Sequence, residues 1–145
     1  MAVDVLTEIE IKRPRDEVSA FAADPTNATA WYSNIKAVEW ETPPPALVGS
    51  RIRFTAQFLG RTLDYTYEVQ AFEPGRRLVM ATAQGPFPMK TTYTWEDALG
   101  GATKMTLRNC GQPSGFAAIA AAVMARAMRK ANEADLLRLK SLLEN

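Results

Sequence analysis

The stretch RIRFTAQFLGRTLDYTYEVQAF, residues 51–72, decides the fold of this chain. Apolar and aromatic side chains alternate with polar ones through both of its halves, which is the pattern of β-strands with one buried face. Gly60 and Arg61 form a turn dipeptide between the halves, so the stretch predicts two antiparallel strands over residues 50–59 and 61–72. The side chains on the apolar parity are Ile52, Phe54, Ala56, Phe58, Leu63, Tyr65, Tyr67, Val69 and Ala71.

The same alternation recurs on both sides of this hairpin. It predicts further strands over residues 3–11, 35–41, 77–84, 89–96 and 103–110. The breaks between the later strands are turn dipeptides, namely Pro74-Gly75, Gly85-Pro86 and Gly100-Gly101. Short connections between alternating strands predict an antiparallel meander of about six to seven strands with one solvated face.

Two short helices are expected between the first and second strands. Pro14 suits the first position of a helix, and the dipeptide Asp24-Pro25 ends that helix. The side chain of Thr26 or Asn27 then caps a second short helix.

The end of the chain differs from the strands before it. From Ser114 to Asn145 it is rich in Ala, Met, Leu and Arg and contains no proline, which predicts one long helix over residues 114–145. The apolar stripe of this helix must be buried, and the sheet is the available partner. We therefore predict a single α+β domain, residues 1–145, whose curved antiparallel sheet wraps around the long C-terminal helix. Because that helix is rich in alanine, we expect a cavity between helix and sheet.

The composition excludes several kinds of chemistry. The 145 residues include no histidine and one cysteine, Cys110. These counts rule out a Ser-His-Asp triad, a Cys-His pair, a His- or Cys-based metal site and an internal disulfide. Asp64 and Glu68 fall on the solvent parity of their strand, so they do not form an acid–base pair. We expect no metal and no cofactor, and the pattern assigns no catalytic residue.

Charge and hydropathy narrow the expected partners. The net charge is +1 and the basic residues are scattered, which argues against a nucleic-acid interface. The longest apolar run, residues 116–125, is shorter than the roughly 20 residues that span a bilayer. The N-terminus carries acidic residues where a secretory signal has a basic start. We expect a soluble, cytoplasmic protein without stable membrane insertion, and a homodimer is compatible with this sequence.

Local motifs accompany this order of elements. They are IEIKRPRDEV at residues 9–18, the segment 24–31, EVQAFEPGRRLV at 68–79, TYTWE at 92–96, GGATK at 100–104 and LLRLKSLLE at 136–144. With these motifs the whole chain resembles the START-like or SRPBCC superfamily, which has the helix-grip fold, and within it the polyketide cyclase/dehydrase-like group. The resemblance implies a hydrophobic ligand cavity. It leaves the function open, because the superfamily includes lipid and hormone carriers, aromatases and cyclases, coenzyme Q-binding proteins and chaperone-ATPase activators.

Ligand-binding residues are expected among the side chains that face the inside of the sheet and helix. The candidates are Trp31, Tyr32, Phe54, Phe58, Tyr65, Tyr67, Met80, Phe87, Met89, Tyr93, Trp95, Arg108, Phe116, Ala120, Val123 and Met124. Each apolar candidate is equally compatible with core packing. The tyrosine hydroxyls can bind a ligand carbonyl or enol, or a backbone carbonyl. Arg108 faces solvent unless a bulge in the last strand turns it inward, where it would bind an anionic group.

Three functions follow as hypotheses. The first is binding of a hydrophobic or aromatic small molecule, lipid-like or polyketide-like, in an internal cavity between the sheet and the C-terminal helix. The alternative is a polyketide cyclase or dehydratase that acts through cavity shape, with tyrosine hydroxyls or Arg108 at a developing enolate. The second alternative is a protein-interaction module, such as a chaperone-ATPase activator, which would show an exposed apolar patch instead of a ligand-sized cavity.

Overall fold

The computed structural model of this protein describes residues 3–112 and 121–145. In chain order the elements are β1 (Val3–Ile11), α1 (Arg15–Ala22), a 3₁₀ turn (Pro25–Asn27), α2 (Ala28–Trp31), β2 (Ile35–Trp40), β3 (Arg51–Phe58), β4 (Arg61–Glu73), β5 (Arg77–Gln84), β6 (Met89–Asp97), a second 3₁₀ turn (Leu99–Gly101), β7 (Thr103–Gly111) and α3 (Ala121–Glu144). The predicted N-cap of the long helix, Ser114, lies outside the described residues.

The strands of the described residues form one antiparallel sheet. Its order is β1-β7-β6-β5-β4-β3-β2. Strands β2 to β7 therefore pair in chain order, and β1 pairs with the last strand, β7. The pairing of β3 with β4 sets Phe54 opposite Tyr65 and Ile52 opposite Tyr67, all on the buried parity. Together with the long α3 and the short helices after β1, this confirms the predicted helix-grip fold.

The hairpin between β3 and β4 turns one residue earlier than predicted. Phe58 pairs with Arg61, so the two loop residues are Leu59 and Gly60. Both have positive φ, 50° and 78°, as a two-residue hairpin turn of type I′ requires. The predicted turn at Gly60 and Arg61 is therefore wrong by one position, because the geometry of the loop places Leu59 in the left-handed region.

The short helices also differ in detail from their prediction. Pro14 is the N-cap of α1 rather than its first residue, and α1 ends at Ala22, before the dipeptide Asp24-Pro25. The side chain that caps the following turn is that of Asp24, whose Oδ1 accepts from the Thr26 N–H at 2.9 Å. Asn27 stands at the N-cap position of α2, as predicted, but its side chain makes no capping hydrogen bond, because its Nδ2 donates to Phe21 O at 3.1 Å.

Helix α3 is attached to both edges of the sheet. At β1, Arg129 Nη1 donates to Leu6 O at 3.0 Å and Lys140 Nζ donates to Glu10 O at 2.8 Å. These contacts occupy backbone acceptors of an edge strand. At the other edge, Asp135 accepts from the N–H of Ser33, just before β2, at 3.0 Å. The helix thus spans the concave face and closes the space under the sheet.

The interior contains two clusters of apolar side chains. The larger includes Trp31, Trp95 and Leu139, which are at most 2% exposed. The smaller lies around Val5, Leu63, Phe87 and Met124. Partly buried Tyr65 and Met89 contact both clusters. The clusters leave a space between them.

Candidate functional site

A cavity lies between the concave face of the sheet, the α1–α2 segment and helix α3. Its volume is about 120 Å³. Its walls are mainly apolar, with Ile35, Phe54, Ala56 and Met80 among the lining residues and Met128 contributed by α3. This volume approaches the ~150 Å³ of an apolar cavity that stays dry and holds benzene. The space suits a ligand about one ring in size.

Most of the predicted ligand-binding residues of the described chain line this cavity. They are Tyr32, Phe54, Phe58, Tyr65, Tyr67, Met80, Phe87, Met89, Tyr93 and Met124. Phe116 and Ala120 lie outside the described residues. Trp31, Trp95, Arg108 and Val123 are described and do not line the cavity.

The two tryptophans form a layer behind the tyrosines. Trp31 packs on Tyr32 with ring centroids 4.2 Å apart, and Trp95 meets Tyr93 edge to face at 6.0 Å. Trp95 shares the inward parity of Tyr93, but it pairs with Met105 in the part of the sheet where the core is closed. Inward parity therefore does not by itself place a residue at the cavity.

Arg108 and Val123 point outward. Arg108 Nη2 contacts Asp4 Oδ2 at 2.6 Å, and its side chain is 54% exposed. The register of β7 is continuous against both β1 and β6, so the bulge that would turn Arg108 inward is absent from this strand. Arg108 does not offer an anion site in the cavity. Val123 is 54% exposed, while its neighbour Met124 takes the inward position on α3.

A chain of hydrogen bonds runs along the sheet wall of the cavity. Thr91 Oγ1 donates to Asn109 Oδ1 at 2.6 Å, so the Tyr67 hydroxyl, 2.7 Å from Thr91 Oγ1, is the donor in that contact. Thr91 and Asn109 are directly paired across β6 and β7. Both share the inward parity that the sequence assigns to Tyr93 and Leu107, which is the signal that could have identified them.

The remaining cavity tyrosines differ in their partners. The hydroxyls of Tyr32 and Tyr93 lie 2.7 Å apart, so one donates to the other and the pair keeps one free hydrogen. The Tyr65 hydroxyl has no hydrogen-bond partner among the described residues, although its ring packs 5.6 Å from that of Phe54. Tyr65 thus offers an unused donor to the cavity.

Burial keeps all four cavity hydroxyls protonated. Loss of hydration raises the pKa of Tyr67 to about 12. The same desolvation raises the pKa of Tyr32, Tyr65 and Tyr93 well above the ordinary value of 10.0. The negative phenolate is disfavoured because burial removes its solvating water. Near neutral pH these groups therefore act as hydrogen-bond donors, not as bases.

The wall opposite the sheet is formed by α3 and the turn before β2, and this helical wall contains polar atoms without hydrogen-bond partners. Asn34 Oδ1 and Asn132 Nδ2 are buried and unpaired, and both residues line the cavity. Asp135, one helical turn after Asn132, accepts from Ser33 through Oδ1 while its Oδ2 is buried and unpaired. Burial raises the pKa of the Asp135 carboxyl. Sequence reasoning missed these residues, although Asn132 and Asp135 precede Leu136 and Leu139 by four positions and so lie on the apolar stripe.

The described residues bring no group of three or more His, Cys, Asp or Glu side chains into a metal-binding arrangement. Within the same ranges, no helix combines the length and apolar character needed to cross a membrane.

Comparison with solved structures finds the same fold at low sequence identity. The protein TTHA0849 from Thermus thermophilus is 18% identical, with a TM-score of 0.80 over 95% of this chain and 94% of that one. The Zhui aromatase/cyclase from Streptomyces sp. R1128 is 15% identical, with a TM-score of 0.79 over 99% and 94%. A START superfamily protein from Mycobacterium smegmatis is 12% identical, with a TM-score of 0.81 over 97% of each chain.

A search of curated proteins found no match to the sequence. The family model described as "Polyketide cyclase / dehydrase and lipid transport" matches residues 2–144. Since this match spans nearly the whole sequence, the chain belongs to that family, within the START/SRPBCC superfamily.

Proposed function

We propose that this protein binds a hydrophobic or aromatic small molecule in the cavity between the sheet and α3. The observation that carries the proposal is the cavity of about 120 Å³, which is walled by aromatic, methionine and small side chains. Apolar pockets with a few polar groups are the usual form of small-molecule sites. The family description, which includes lipid transport, supports the same function.

The size and lining of the cavity indicate the class of ligand. A volume of about 120 Å³ admits one substituted ring, whereas pockets for drug-sized ligands measure about 300–1,000 Å³. Met80, Met89 and Met128 lie in the walls. Their unbranched thioether chains change rotamer easily, so the walls can adapt to irregular ligands of this size.

The test is a titration of the wild-type protein with p-xylene, followed by NMR. A second titration uses Ala56→Leu, because Ala56 is 4% exposed and lines the cavity, so the larger side chain fills space that the ligand needs. The matched control is Ala37→Leu, which adds the same atoms at an exposed position of β2. We expect wild type and Ala37→Leu to bind alike, and Ala56→Leu to bind at least about tenfold more weakly. No binding to wild type, or unchanged binding to Ala56→Leu, would overturn the proposal.

A second candidate is a cyclase that closes a short polyketone chain to one aromatic ring. The Tyr65 hydroxyl favours it, because a protonated donor in a mainly apolar cavity can stabilise a developing enolate. In the simplest such reaction, the terminal methyl carbon of heptane-2,4,6-trione, as its enolate, forms a bond to the distal carbonyl carbon. Loss of one water molecule and tautomerisation then give 5-methylresorcinol. The product is one ring, in keeping with the cavity volume.

This candidate is tested by the rate at which 5-methylresorcinol forms above the buffer rate. We expect the wild-type protein to accelerate the reaction and Tyr65→Phe, which keeps the ring, to lose most of that acceleration. If both proteins match the buffer rate, binding alone remains as the function.

A further inference from the structure

The helical wall of the cavity contains a buried acceptor and a buried donor that nothing in the described chain uses. They are Asn34 Oδ1 and Asn132 Nδ2. Both residues line the cavity. Unpaired buried polar atoms cost free energy, so natural proteins keep few of them, and those that persist in a cavity are candidates for ligand contacts.

Hydrogen bonds hold the backbone next to Asn34 against the face of α3 that carries Asn132. Asp135 accepts from Ser33 N–H at 3.0 Å and from Ser33 Oγ at 3.1 Å, which fixes the segment just before Asn34 against α3. Asn34 O also accepts from Gln57 N–H at 2.8 Å, so its backbone is fixed on the β3 side as well. Asn132 lies one helical turn before Asp135 and therefore on the same face of α3.

The chemistry of this pair selects one kind of polar group. A hydroxyl can donate its hydrogen to Asn34 Oδ1 and accept from Asn132 Nδ2 at the same time. A carbonyl or ether oxygen would use Asn132 and leave Asn34 Oδ1 unpaired. A methyl group would leave both amide atoms unpaired.

The lining also selects the charge of the ligand. Asp24 is the one Asp, Glu, Lys or Arg among the described lining residues, and it is exposed and already accepts from Thr26 N–H. Burial raises the pKa of the Cys110 thiol, which keeps it uncharged as well. The described lining thus provides no cation for an acidic ligand, and burying an unpaired carboxylate is costly.

We infer that the ligand of this cavity is a neutral, single-ring compound whose hydroxyl group bridges Asn34 and Asn132. This inference rests on the proposed binding function and narrows its ligand class. The ring lies against Ile35, Phe54 and Ala56, which line the apolar part of the same cavity.

The experiment compares three ring compounds of matched shape on the wild-type protein at pH 7 by NMR titration. p-Cresol carries a hydroxyl where p-xylene carries a methyl group, and p-toluate carries a carboxylate. We expect p-cresol to bind about fivefold more tightly than p-xylene, because the hydroxyl pairs both amides. We expect p-toluate to bind at least about tenfold more weakly than p-cresol.

Two variants test whether Asn132 causes the preference for p-cresol over p-xylene. Asn132→Leu replaces the amide by an apolar group of similar size, and we expect it to bind p-xylene more tightly than p-cresol. Met128→Leu, one turn earlier on the same helix and also in the lining, is the control and should change both affinities by the same factor. Thermal unfolding confirms that each variant is folded.

The outcomes separate this inference from the function on which it rests. Wild-type protein that binds p-xylene as tightly as p-cresol, or Asn132→Leu that keeps the preference for p-cresol, overturns the inference and leaves the cavity function standing. Binding of p-toluate on a par with p-cresol overturns the neutral ligand class. If none of the three rings enters the wild-type cavity, the proposed function fails, and this inference fails with it.

Discussion

The polar groups on the two walls of the cavity differ in their hydrogen bonding. On the sheet wall, Tyr67, Thr91 and Asn109 form a continuous chain of hydrogen bonds across three strands. On the helical wall, Asn34 and Asn132 each carry a buried polar atom without a partner. A wall whose polar groups are hydrogen-bonded to one another is rigid and defines the shape of the cavity. A wall whose polar groups lack partners can use them to bind a ligand. Apart from the Tyr65 hydroxyl, which has no hydrogen-bond partner among the described residues, the sheet wall thus defines shape, and the unpaired amides lie on the opposite side of the cavity.

We expect the greatest loss of stability when the hydrogen-bond chain of the sheet wall is interrupted. Thr91→Val keeps the shape of the side chain but removes the hydroxyl, which leaves Tyr67 OH and Asn109 Oδ1 without their present partner. We expect the free energy of unfolding to fall by about 2 kcal/mol, measured by chemical denaturation. Thr92→Val, on the outer face of the same strand, is the control and should cost much less. Equal losses would show that the hydrogen-bond chain does not stabilise the fold.

The second prediction concerns the unpaired wall and has the opposite sign. Asn132→Leu removes a donor that is already unpaired and adds a better helix former with an apolar side chain. We expect the free energy of unfolding to rise by about 1 kcal/mol in the same assay. A loss of stability instead would mean that Asn132 already has a stabilising partner in the free protein.

The third prediction uses the buried carboxyl beside this wall. Burial raises the pKa of Asp135 above 3.8, so folding disfavours the charged form. Asp135 therefore contributes to the free energy of unfolding at low pH. This contribution is complete below pH 3.8 and is lost as the pH rises through the raised pKa of the folded state. Asp135→Asn keeps an acceptor for Ser33 and does not titrate. The stability of this variant relative to wild type should therefore increase with pH over that range, as measured by denaturation at several pH values. If the free energies of unfolding of wild type and Asp135→Asn change with pH in parallel, this prediction is contradicted.

The smallest effect is expected on the outer face of the sheet. The hydrogen bonds and charge of Arg108 lower the pKa of Asp4 to about 2. Arg108→Gln should return the pKa of Asp4 towards 3.8, observed by NMR titration of its carboxyl carbon. Because this ion pair lies outside the cavity, the affinity for p-xylene should change by less than about twofold. A large loss of affinity would mean that Arg108 reaches the ligand after all.

The sheet wall could largely be predicted from the sequence, since strand alternation alone assigns Tyr65, Tyr67 and Tyr93 to the inner face. Alternation cannot separate a cavity residue from a core residue. Tyr93 and Trp95 share one parity, yet Tyr93 lines the cavity and Trp95 lies in the closed core. That distinction depends on where α3 and the short helices meet the sheet.

The helical wall was harder to predict for the same reason. Asn132 belongs to α3 and Asn34 to the turn before β2, and their proximity depends on the contact between Ser33 and Asp135, 102 residues apart. No local pattern carries that information for Asn34. Asn132 could have been identified from the sequence, because it is a polar residue on the apolar stripe of α3.

The proposed function requires that a neutral apolar ring bind between the sheet and α3. The most direct test labels the methionine methyl groups with ¹³C and records contacts with p-xylene by NMR. Met80, Met89, Met124 and Met128 line the cavity, while Met105 is fully buried in the core outside it. We expect nuclear Overhauser contacts from p-xylene to the lining methyl groups and none to Met105. Contacts to none of the four lining methyl groups, with p-xylene at saturating concentration, would contradict it.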